Sequence, residues 1–93
     1  MPLFLKDPGA TVDWMVDWAA GYLDQQTLAD SQWLVAPDEE GGVCITSQLV
    51  TEGRSAATMA GGIAGHVYRV TNRITTNDGR TDERSLTISV EQR

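Results

Sequence analysis

His66-Val-Tyr-Arg-Val-Thr-Asn-Arg-Ile-Thr-Thr-Asn-Asp-Gly-Arg-Thr-Asp-Glu-Arg-Ser-Leu-Thr-Ile-Ser-Val90 reads as two long β-strands around a tight turn. Tyr68, Val70 and Ile74 form the apolar phase of the first strand, and Leu86, Ile88 and Val90 that of the second. All six numbers are even. A two-residue loop at Asp78-Gly79 would pair even with odd positions and send the two apolar sets to opposite faces. A three-residue loop, Asn77-Asp78-Gly79, instead pairs Val70 with Leu86 and Tyr68 with Ile88. It gives Gly79 the left-handed position of a G1 bulge. The same register sets Arg73 opposite Glu83, Thr75 opposite Thr81 and Thr71 opposite Ser85, pairs worth ~0.2–1 kcal/mol each. Asn72 is the awkward residue, a polar side chain on the apolar phase and opposite Arg84.

Upstream, Thr11 to Trp18 alternates with period two. Val12, Trp14, Val16 and Trp18 share one face and Asp13 and Asp17 the other, with Met15 as the exception. Residues 19–29 read as a connection with room for one short helical turn, weakened by Gly21. Ser31 to Ala36 reads as a strand stopped by Pro37. Residues 38–42 form an exposed acidic loop, Val43 to Val50 a third strand, Glu52-Gly53-Arg54 a turn and Ser55 to Ala60 a weaker strand. Gly61-Gly-Ile-Ala-Gly65 is a corner. Pro2, Pro8 and Gly9 make residues 1–10 a flexible extended arm rather than a core strand, leaving residues 11–93 as one domain. Short strands with turn signals every ~8–12 residues predict an all-β, immunoglobulin-like sandwich of about seven antiparallel strands. Tyr68, just after a Gly-rich corner, stands where such sandwiches place a tyrosine bonded to upstream backbone; a plain core tyrosine reads equally well.

Composition bounds the function. The 93 residues carry a net charge of −6, with only seven Lys and Arg, which argues against nucleic acid. The charge is uneven. Residues 1–53 hold nine acids and one base, and residues 54–93 hold four acids and six bases. That imbalance is either a solvated surface or a pair of complementary faces in an assembly. No apolar run is long enough for a membrane helix. The first eight residues lack the basic segment, apolar core and cleavage site of a signal peptide. A lone Cys44 fits synthesis in a reducing compartment.

No residue set reads as catalytic, cofactor-binding or metal-ligating. His66 lacks Cys or His partners at metal spacing and reads as a strand-edge residue. Cys44, in an alternating strand without a nearby base, reads as a buried structural thiol. Asp13 and Asp17 lie ~13 Å apart along a strand, too far for shared acid–base work. The Asp38-Glu39-Glu40 loop lacks calcium-loop spacing. The Gly61–Gly65 corner lacks the Lys-Ser/Thr and helix of a phosphate loop. Trp14, Trp18 and Trp33 read as core, the alternative being an aromatic platform for a sugar.

Phe4-Leu-Lys-Asp-Pro-Gly-Ala-Thr-Val-Asp-Trp14, the central Ser31-Gln-Trp-Leu-Val, Gly61-Gly-x-Ala-Gly-x-x-Tyr68 and Thr-x-x-Gly-Arg-Thr-Asp-Glu-Arg-Ser85 resemble, over nearly the whole chain, a family of small tailed-bacteriophage and prophage proteins, the fiber-tail adaptor proteins. The Gly-Gly-x-Ala-Gly and Thr-x-x-Gly-Arg-Thr-Asp-Glu-Arg-Ser portions are the most specific. The resemblance implies an immunoglobulin-like sandwich serving as a non-enzymatic virion structural or adaptor protein, made in the host cytoplasm. Its partners would be tail, fiber or neck subunits, or further copies of itself. It carries over no catalytic residues. The competing class is a freestanding module that binds a glycan or peptide.

Overall fold

The turn between Thr76 and Arg80 forms as the sequence demands. Gly79 has φ +91°. Its N–H donates to the Thr76 carbonyl (3.0 Å), and the Thr76 N–H donates to the Arg80 carbonyl (2.8 Å). The Thr76 hydroxyl donates to the Asp78 carboxylate, the main reason that the Asp78 pKa falls below its ordinary value. Arg80 adds an ion pair to Asp78 at 3.0 Å. The register that follows joins Tyr68 to Ile88, Val70 to Leu86, Thr71 to Ser85, Arg73 to Glu83 and Thr75 to Thr81.

The computed structural model describes residues 3–20 and 27–92. Among them are seven strands: β1 (Leu3–Lys6), β2 (Val12–Asp17), β3 (Leu28–Ala36), β4 (Cys44–Thr51), β5 (Arg54–Ala60), β6 (Val67–Thr76) and β7 (Thr81–Val90), with one 3-10 turn at Trp18–Ala20. A four-stranded sheet runs β1-β7-β6-β3 and a three-stranded sheet runs β2-β5-β4. The two sheets face each other as a β-sandwich. Between them lie Val43, Met59, Tyr68, Val70, Leu86, Ile88 and Val90, with a second cluster of Val16, Trp18 and Ile74 toward one end. Trp14 and Trp33 meet edge to face at 5.4 Å, bridging the sheets. Met15, the exception to the alternation, is exposed.

Three sequence expectations change. Leu3–Lys6 is a strand, paired in parallel with Thr87–Val90. Pro2 and Pro8 flank these four residues without interrupting them, so residues 1–10 are not wholly an unpaired arm and one strand pair of the sandwich is parallel. Lys6 is only 2% exposed, its apolar stem inside and its ammonium donating to the carbonyls of Gly61 (2.6 Å) and Asp7 (3.0 Å). Second, β3 starts at Leu28, earlier than the expected Ser31, with a register irregularity between Leu28 and Asp30. The rest of the expected connection, residues 21–26, lies outside the described residues. Third, Cys44 is exposed rather than buried. Val43 takes the inward position, and β4 is an edge strand, so the outward-facing thiol has no neighbouring strand to cover it.

Asn72 is fully buried. Its Oδ1 accepts from Trp18 Nε1 (2.9 Å), and its Nδ2 donates to Ser31 Oγ (2.9 Å) and the Gln32 carbonyl (3.0 Å). Ser31 Oγ is bonded in turn to the buried Ser55 Oγ at 2.7 Å. The polar residue on the apolar phase is therefore the centre of a satisfied network between the sheets.

Two stability outcomes follow. Gly79→Val should cost ~1 kcal/mol or more in urea titration, because a β-branched residue resists φ +91° although the space around the glycine is open. Asn72→Leu should cost about 2 kcal/mol or more in the same assay, because Trp18 Nε1–H would be left buried without its acceptor.

Candidate interaction surfaces

Tyr68 makes the corner bond that its position suggests. Its Oη accepts from the Ile63 N–H at 3.1 Å, five residues upstream. The same hydroxyl donates to Glu39 Oε1 at 2.5 Å, and His66 Nδ1 lies 2.8 Å from that oxygen. These contacts tie the acidic loop to the corner. Hydrogen bonds from Tyr68 and then from His66 hold the Glu39 carboxyl below its ordinary pKa, while burial first and Glu39 second push the Tyr68 phenol upward. The corner is tight at Gly61, where φ is +78° and a Cβ would sit 2.6 Å from the Gly42 carbonyl.

His66 thus has a structural partner in Glu39. Asp13 and Asp17 both point away from the sandwich. Asp13 accepts from Thr58 Oγ1 at 2.6 Å and Asp17 pairs with Arg54 at 3.4 Å. Among the described residues, no group of three or more His, Cys, Asp or Glu side chains converges to hold a metal ion. Trp18 is wholly buried and Trp14 and Trp33 are partly buried. An apolar cleft beneath β1, lined by Phe4, Val12, Trp14, Met59, Leu86 and Ile88, encloses about 60 Å³, well under the ~300 Å³ of a small-molecule site.

The remaining candidates are edges and faces. Four strands are edges: β1 and β3 of one sheet, β2 and β4 of the other. Soluble proteins guard such edges with charge, shortness or bulges. β1 has only four residues, β2 carries Asp13 and Asp17, and β3 carries Asp30 beside its irregularity. β4, Cys-Ile-Thr-Ser-Gln-Leu-Val-Thr, carries no charge. Its one irregularity falls between Ile45 and Ser47, leaving Ser47–Thr51 regular and exposed. The sequence reading placed this strand but not its edge position, which only the strand order reveals.

Residues 6–89 match the family described as podophage GP4 fiber-tail adaptor protein gp77. The chain belongs to that family. It is accordingly a phage structural adaptor, the class its sequence resembles. No curated protein matches the chain. Among solved structures it is similar to the PKD domain from the KIAA 1837 protein, with TM-score 0.59 and 13% identity, over 99% of this chain and 82% of that one. At that identity the likeness shows the immunoglobulin-like sandwich fold and nothing of function.

The Glu39 contacts have a pH signature. A carboxyl whose folded pKa is depressed adds stability above its unfolded value, 4.5, and loses it as pH falls through the folded value. Glu39→Gln should be less stable than the wild type at pH 7, with the gap closing as pH drops below 4.5. Thermal melts at pH 7 and pH 3 measure it, and an equal gap at both would mean that the carboxylate's charge plays no part.

Proposed function

We propose that this adaptor links tail and fiber components of a phage particle through protein–protein contacts, with β4 as an edge to which a partner adds a strand. The observation that carries this reading is the unguarded run Ser47–Thr51. An exposed strand of unpaired N–H and C=O groups binds an extended segment by backbone hydrogen bonds, with alternate side chains giving selectivity. Family membership supports the adaptor role, and the edge supplies a means. The partner strand would come from a tail or fiber subunit, and the protein would reside in the virion. Because the edge is preformed, docking there orders little of the adaptor itself.

Lysine placed on an edge strand opposes strand addition. Gln48 and Val50 are exposed neighbours on one side of β4, so Gln48→Lys with Val50→Lys should leave the melting temperature within a few degrees. Supplied in place of the native gene during phage growth, the double variant should be lost from purified particles, along with the fibers. Normal incorporation of the folded variant would refute the role of β4.

A further inference from the structure

The β4 edge offers a defined set of free backbone groups. Glu52 (φ +49°) and Gly53 (φ +79°) form a two-residue turn that joins β4 to β5 through the pair Thr51–Arg54. Such a closing pair exchanges both of its backbone bonds, and bonded and non-bonded pairs alternate from there. Leu49 therefore bonds to Ala56, while the N–H and C=O groups of Gln48 and Val50 point away from the sheet. Leu49 on the outer face is 64% exposed, and Val50 on the other side of the strand is 43% exposed. A strand laid along this edge meets an apolar side chain near its centre on both sides.

The two ends of the edge are acidic. Asp38 borders one shallow depression with Cys44 and Ile45, the first residues of β4, and Glu40 belongs to the same loop as Asp38. Glu52 follows Thr51 directly. All three acids are exposed, and none is ion-paired among the described residues. Residues 1–60 contain two bases, Lys6 and Arg54. Lys6 is buried against the carbonyls of Gly61 and Asp7, and Arg54 pairs with Asp17 on β2. Edge β3, which borders the same depression through Trp33 and Leu34, carries Asp30 and no base. The later bases stand elsewhere. Arg69 and Arg73 occupy outward positions on β6 in the other sheet, Arg69 opposite Ala36 and Arg73 paired with Glu83. Arg80 pairs with Asp78, Arg84 covers the Trp18 ring, and Arg93 lies outside the described residues.

We infer that the strand added at β4 is a basic segment of its tail or fiber partner: about eight extended residues, uncharged at the centre, with Lys or Arg toward each end. This rests on the reading of β4 as a strand-addition edge. The eight residues of β4 span ~24 Å, which sets the length. A base at one end meets Asp38 and Glu40, and a base at the other meets Glu52. The uncharged centre sets apolar or β-branched side chains beside Leu49 and Val50. The acids also exclude a second copy from this place. Two β4 edges paired antiparallel about a two-fold axis would bring Glu52 of each toward Asp38 and Glu40 of the other, and like charges oppose that contact. Nor does a second copy have a free basic strand to lend, since β6, the strand with two bases, is central in its sheet.

The test uses purified phage particles grown with variants supplied in place of the native gene, each variant first checked for fold by far-UV circular dichroism. Asp38→Lys with Glu52→Lys reverses the acids and leaves the backbone edge intact. Its copies per particle should fall about tenfold or more below the wild type. Asp38→Asn with Glu52→Gln disturbs the fold least and should show a smaller loss of the same sign. Asp82→Lys with Glu83→Lys makes the same change in net charge on β7 and should be incorporated normally. Normal incorporation of both Asp38/Glu52 variants, with Gln48→Lys and Val50→Lys still excluded, overturns the basic partner and leaves the edge reading standing. Normal incorporation of Gln48→Lys with Val50→Lys overturns both. Equal loss in the β7 variant assigns the effect to net charge and also overturns the inference. Native mass spectrometry of the purified chain at ~100 μM, a range that reveals weak self-association, should show no dimer that Gln48→Lys with Val50→Lys abolishes. Such a dimer would give the edge to a second copy and overturn the inference.

Discussion

One buried amide holds the two sheets against each other. Asn72 sits on the central strand β6 and takes the indole N–H of Trp18, which follows the last residue of β2 in the opposite sheet. Its own N–H groups go to Ser31 and Gln32 on β3, and Ser31 reaches Ser55 on β5. Four elements thus meet at one satisfied polar point inside an otherwise apolar core. Apolar packing alone tolerates sliding, since one leucine substitutes for another in a neighbouring hole. A directional network does not, because a slipped sheet would leave several buried donors and acceptors unpaired at ~1–3 kcal/mol each. The outer faces inherit their geometry from that constraint. Trp18 also receives the Arg84 guanidinium at 4.8 Å from its ring centre, which covers the end of the same network.

A second polar fixture works at the corner. Tyr68 closes the turn at Ile63 and reaches Glu39, so the acidic loop and the corner share one anchor. Lys6 attaches β1 to the same corner through the Gly61 carbonyl. Burial lowers the Lys6 pKa, with Asp7 opposing that shift. The cost of desolvating this ammonium is offset by two carbonyl acceptors and by β1's backbone pairing with β7. The result places Leu3 and Leu5 on the outer face beside Val67 and Arg69, where they extend an apolar patch that would otherwise end at β7.

The parts of this fold that were legible in the sequence are those fixed by local rules. The β6–β7 register followed from parity and one glycine, because a hairpin loop has few lengths and each length dictates which faces match. The inward set of β2 followed from alternation. The rest depended on non-local pairing. β1 is four residues long and pairs in parallel with a strand more than eighty residues away, and no periodicity is readable in Leu-Phe-Leu-Lys. Lys6 reads as a surface charge until Gly61 is known to stand above it. Cys44 alternates as a buried residue would, but alternation cannot tell an edge strand from a central one. Asn72 was visible as an anomaly, and only the arrival of Trp18, Ser31 and Gln32 gave it meaning. The interaction surfaces share this limit, since an edge or a face is defined by which neighbours are missing.

The likeness to a PKD domain at 13% identity shows how little of the function resides in the sandwich itself. What differs between proteins on this frame is how their edges and faces are finished. Here β2 and β3 carry exposed acids and β1 is only four residues long, while β4 carries no charge. A protein working alone gains solubility by guarding every edge and breaking up every patch. A rigid core with selected surfaces left open is what an assembly component requires: the internal networks fix the geometry before docking, so association need order only the partner's strand and the side chains of the contact.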